Sequence, residues 1–233
     1  MTEEFKIAIE ELYRTFGKYP SKSTIEGCPC CVSDSDKSSL HSKPLRDLED
    51  EDISKYAFKA MTTWGDVNDF KHYLPRIFEL TATRKLIVNT FVILGKLDYG
   101  NWKEWEADEQ DSILKFLKTW WKYDINNASY FDPEVLIEIN KKLHNFHGML
   151  NEWNVSVNTQ GFRNYVGLVE GHYYKLKEKN TFFKGLTQDE IETLIKWIES
   201  NSLKLEEGFF KYESEDEEFS KIISDTLYMF ERV

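Results

Sequence analysis

The chain has 233 residues, of which 41% are hydrophobic, 30% charged and 15% aromatic, a composition that excludes a disordered chain and can supply a core. Forty-one carboxylates against 30 lysines and arginines leave a formal charge of −11. Such a field repels nucleic acid and anionic membrane, and it favours a protein partner with a basic face.

The start of the chain, MTEEFKIAIEELYRTF, is charged and amphipathic, and lacks the apolar stretch of a secretion signal. No run reaches the roughly 18 apolar residues that span a bilayer. The spacing of Phe5, Ile9, Leu12, Tyr13 and Phe16 predicts a helix that stops at Gly17 and Pro20. Residues 17–44 then hold three of the five prolines and many serines, and read as one long loop. Ile53, Tyr56, Ala57, Ala60, Met61 and Trp64 predict the next helix, with the acidic run DLEDED (47–52) at the positive end of its dipole. Gly65 ends it, and Asp66 caps a helix carrying Val67, Phe70, Leu74, Ile77 and Phe78, which Pro75 should kink or break.

Residues 84–98 fit a buried helix or a strand equally well. Residues 108–122 are helical by spacing. Asp132 and Pro133 open a helix expected to run through Leu150, followed by the β-like WNVSV. Residues 160–178 are helical, Thr187 and Glu190 form a capping box, residues 202–212 a short helix or turn, and Ser214 with Glu217 a second box. Roughly eight helices with short connections predict a single all-α domain over 1–233. The architecture expected is an irregular multi-helix bundle or a HEAT-like α-α superhelix with a long cysteine-bearing loop.

All three cysteines lie in GCPCCVS. Such a clustered, odd set is no secreted disulfide framework, so the expected compartment is cytoplasmic, with reduced thiols or a bound metal. Cys28 and Cys31 have the C-x-x-C spacing with which two thiolates grip one zinc, and Cys30 is an alternative ligand. His41 is the nearest imidazole, and His72, in GDVNDFKH, is a second candidate for the remaining position. A dithiol redox reading lacks the strand and helix that frame such sites. His144 and His147 form H-x-x-H on a predicted helix, and a histidine pair without metal accounts for it better.

Tryptophan is abundant. Trp102 and Trp105, and one of the adjacent pair Trp120 and Trp121, are candidate exposed interface anchors, with Trp121 taken as the exposed member; the alternative is a helix buried on two sides. Asp50, Glu51 and Asp52 would add acidic steering, as would ESEDEE at 213–218. Phosphate-binding, dinucleotide-binding, zinc-protease and serine-hydrolase motifs are absent, and no catalytic residue is assigned.

The run GCPCCVS, LHSKPL, YAFKAMTTWGDVNDFKHYLP, with W-x-x-W and FLKTWW beyond it, resembles a group of uncharacterised bacterial proteins. That resemblance implies lineage, assigns no activity, and suggests that the cysteine loop and the DVNDFKH segment form one module. The expected function is non-enzymatic: an acidic helical protein, immunity- or antitoxin-like, that binds a macromolecular partner. The alternative is a metal-dependent enzyme or regulator with zinc in the CPCC loop.

Overall fold

The computed structural model describes residues 1–178 and 183–231. Among these residues there are twelve α-helices and no strand, so the chain is an all-α, multi-helix protein. No described helix is long and apolar enough to cross a membrane. Contacts divide the chain into two compact units, Met1–Trp120 and Trp121–Val233.

In the first unit, α1 (Glu3–Phe16) buries Phe5, Ile9, Leu12 and Phe16, the stripe its spacing predicts, and packs on α4 (Val67–Ala82). α4 runs unbroken through Pro75. The ring removes one backbone donor, and the burial of Phe70, Leu74, Ile77 and Phe78 carries the helix across that gap. The residues between α1 and α4 are less of a loop than expected. Ser33 and Asp36 form a capping box, so α2 (Asp34–Leu40) interrupts the stretch, and Leu40 is buried. α3 (Asp50–Lys59) is shorter than its pattern suggests. It ends at Ala60, and Met61 and Trp64 lie beyond it in a connection that keeps Trp64 buried. The ambiguous segment resolves as helix: α5 (Thr90–Tyr99) buries Ile93, Leu94 and Leu97. α6 (Ala107–Asn127) brings Phe116 against Phe5 and Phe78, with ring centroids 5.8 and 5.5 Å apart.

The second unit centres on α9 (Gln160–Lys177), which packs against α10 (Gln188–Ser200) and α12 (Glu217–Glu231). Tyr165 donates to the Ile198 carbonyl at 2.8 Å, tying α9 to α10. The helix expected from Asp132 to Leu150 is two helices, α7 (Pro133–Leu143) and α8 (Phe146–Asn151). His144 takes a left-handed conformation that ends α7, and the Asn145 side chain caps α8. Hence H-x-x-H does not lie on one helix. WNVSV forms no strand. Residues 203–212 form a full helix, α11 (Leu203–Tyr212), and the Asp216 carboxylate, rather than Ser214, accepts from the first turn of α12.

Candidate metal centre

The cysteine loop is fastened at both ends by backbone and by grease. Ile25 and Val32, on either side of the cysteines, are buried. Between them the chain runs antiparallel to the α3–α4 connection: Cys28 N–H donates to the Thr63 carbonyl at 2.8 Å, and Gly65 N–H donates to the Glu26 carbonyl at 2.7 Å. Gly65 has φ +74°, a conformation that costs other residues strain, and a Cβ there would fall 2.9 Å from Ile25 Cγ2. Buried Lys96 donates to the Ala60 carbonyl at 2.9 Å and holds the end of α3 where this connection begins; burial pushes its ammonium pKa down.

The peptide then turns sharply. The Cys28 carbonyl accepts from Cys31 N–H at 2.8 Å and from Val32 N–H at 3.0 Å, with Pro29 following Cys28 as this kind of turn favours. The turn folds the three sulfurs onto one another. Cys28 Sγ lies 2.8 Å from Cys30 Sγ, Cys30 Sγ lies 3.5 Å from Cys31 Sγ, and all three fall within 4.8 Å. Cys30 is exposed, and Cys28 and Cys31 are half-buried. The Cys30 thiol lowers the Cys28 pKa by hydrogen bonding, and the backbone N–H groups of Cys30 and Cys31 add to the effect. The Cys30 pKa is correspondingly pushed up to about 11, chiefly by its bond to Cys28. Three close cysteines of this kind could hold a metal ion.

Among the described residues, these three sulfurs are the only group of three or more histidine, cysteine or carboxylate ligand atoms that lie close to one another. Cys30, the alternative ligand of the sequence pattern, is a full member. His41 stands outside the set, at the C-terminal cap of α2. His72 also stands outside it; on α4 its Nδ1 donates to the Tyr19 carbonyl at 2.8 Å. The DVNDFKH segment reaches the loop through its aspartates instead. A cavity of about 680 Å³ lies beside Cys28, lined among others by Lys22, Glu26, Thr63, Asp66 and Asp69. Lys22 Nζ sits 2.9 Å from both Asp66 and Asp69, and those carboxylates raise its pKa. Lys22, Glu26 and Thr63 carry no sequence signal, because only the pairing of 26–28 with 63–65 brings them together.

The start of the loop rests on a buried charge cluster. Glu109 is fully buried and accepts from Lys71 at 2.6 Å and from the Tyr19 hydroxyl. Lys71 also donates to the Tyr19 hydroxyl at 3.0 Å and lies 4.3 Å from the Trp105 ring centre.

The expected interface anchors are not on the surface. Trp102 is 4% exposed, Trp105 9%, and Trp120 and Trp121 1% each. Trp105 donates to the Gly100 carbonyl and packs on Phe16 and Phe70. Trp121 donates to the Met149 carbonyl and packs on Trp153. Adjacent side chains on a helix point about 100° apart, and α6 meets apolar neighbours on both bearings. The acidic residues at the start of α3 are used locally. Asp52 accepts from Glu49 N–H and Lys43, Asp50 accepts from Ile87 N–H, and Glu51 is exposed.

Comparison with protein families, with curated proteins and with solved structures finds no match to this chain.

Proposed function

We propose that this chain is a zinc-binding protein, with Cys28, Cys30 and Cys31 as the ligands. The observation that carries the reading is the convergence of the three sulfurs within 4.8 Å on one backbone-anchored turn. Thiolates are soft ligands, and zinc accepts them at about 2.3 Å in a tetrahedral arrangement. At that bond length two thiolates on one ion stand about 3.8 Å apart, so binding widens the Cys28–Cys30 contact. The fourth position is left to water or an outside donor, since His41 and His72 stand outside the sulfur set. The backbone N–H groups directed at Cys28 would support its thiolate form, as the surroundings of metal-bound sulfur commonly do.

The ion would order a loop rich in proline and serine, because metal-binding free energy becomes folding free energy where the site is absent from the unfolded chain. Elemental analysis of protein purified without a histidine tag tests this. The expected result is about one zinc per chain, lost on Cys28→Ser or Cys31→Ser, with cobalt substitution giving thiolate-to-metal charge-transfer absorption. Protein that takes up no zinc from zinc-supplemented buffer, with three thiols reacting as freely as in a short peptide, would overturn the reading.

A further inference from the structure

α11 carries two faces of opposite character. One buries Leu205, Gly208 and Tyr212. Gly208 is required there, since a Cβ would fall 2.3 Å from Phe162 Cζ. The other face presents Leu203 and Phe210, 68% and 73% exposed. Glu206 lies between them on the same side and Glu213 just beyond, so the four residues fall within an arc of about 80° at about 3.6 residues per turn. A large aromatic held that far into water, seven residues from an equally exposed leucine, has the spacing by which helices dock.

The unpaired charges on this face of α11 are carboxylates. Both lysines of α11 are already paired, Lys204 with Glu207 at 2.8 Å and Lys211 with Glu215 at 2.9 Å. Arg163 is held by Asp216 at 2.8 Å. Glu206 and Glu213, on the same arc, are exposed and have no ion pair among the described residues. The outer face is thus an apolar pair among unneutralised carboxylates, on a chain of net charge −11.

We propose that this face of α11 is the docking surface for a basic amphipathic helix of a partner protein. The partner's apolar residues cover Leu203 and Phe210, and its lysines or arginines meet Glu206 and Glu213. A second copy of this chain would set the same carboxylates against one another, and nucleic acid or an anionic membrane would be repelled. The inference is independent of zinc, because its residues lie in the second unit and the cysteines in the first.

The test uses the full chain and a fluorescent Leu/Lys peptide several helical turns long, with apolar residues three and four apart. A scrambled peptide of the same composition and a Leu/Glu peptide serve as controls, and binding is read by anisotropy. The Leu/Lys peptide alone is expected to bind. Phe210→Ser should weaken it by roughly tenfold or more. The double variant Glu206→Gln, Glu213→Gln should weaken it and flatten its dependence on salt between about 50 and about 300 mM. Phe58→Ser, at another exposed aromatic, on α3, should change nothing. Circular dichroism is expected to be unaltered in all of these variants. The proposal is overturned if the peptide does not bind, if the scrambled peptide binds as well, or if Phe58→Ser weakens binding as much as Phe210→Ser. It is also overturned if Phe210→Ser dissolves a homodimer in sedimentation, since the face would then belong to a second copy.

Discussion

Replacing Glu109 with alanine should destabilise the protein by about 3 kcal/mol. The carboxylate is fully buried and lies 2.6 Å from Lys71, whose side chain is only 9% exposed. Removing one member of such a pair leaves the other charge uncompensated, which costs about 3–5 kcal/mol. Lys71 would keep the Tyr19 hydroxyl at 3.0 Å and the face of Trp105 at 4.3 Å, and that places the cost at the low end. Glu109→Gln keeps the shape and loses the charge, so about 1–2 kcal/mol is expected.

The same residue sets a pH dependence. Burial raises the Glu109 pKa, but hydrogen bonds from Lys71, Tyr19 and Lys18 outweigh it and hold the group below its ordinary 4.5. A carboxylate lowered on folding stabilises the native state above its unfolded pKa, and the contribution is lost as pH falls through the folded value. Stability of the native chain should therefore fall more steeply below about pH 4.5 than that of Glu109→Gln. Urea unfolding followed by tryptophan fluorescence at a series of pH values measures both effects. A loss under about 1 kcal/mol for Glu109→Ala, or identical acid limbs for the native chain and Glu109→Gln, would refute the buried-pair argument.

Gly65→Ala should cost about 1–2 kcal/mol from the left-handed backbone alone, and the crowding against Ile25 adds to it; a neutral result in chemical denaturation would show that the connection relaxes freely. Gly208→Ala gains about 1 kcal/mol of helix propensity, but it drives a methyl into Phe162. Overpacking of about 1–3 kcal/mol should make the net effect destabilising, and a raised melting temperature would contradict that packing. Trp121→Ala should cost about 3–5 kcal/mol, because the ring is buried and bonded to the Met149 carbonyl. An unchanged urea midpoint would return Trp121 to the surface role its sequence position suggests.

The buried-tryptophan result shows where sequence reading stops. Periodicity identifies an apolar residue without saying how many faces of its helix are covered, and for Trp120 and Trp121 both bearings are covered. Capping signals read along the chain were informative where side chain and backbone are near neighbours. Asp66, Asp132 and Thr187 each cap the helix expected of them. The same logic missed α2, whose serine-to-aspartate box sits within the proline- and serine-rich stretch, and it could not foresee that His144 ends one helix and Asn145 starts another.

Local chemistry fixed by adjacency was written in the chain: an all-α fold from the spacing of its apolar residues, and three neighbouring thiols around one proline. Contacts between distant segments were decided only on folding. The pairing of 26–28 with 63–65 sets the aspartates of α4, rather than His72, beside the cysteine turn. The packing of α11 leaves Phe210 outside while the candidate anchors Trp102, Trp105 and Trp121 go in. A sequence states the affinity of each side chain for water or oil. Which of them obtains its preferred surroundings depends on which segments arrive next to it, and that is a property of the whole fold.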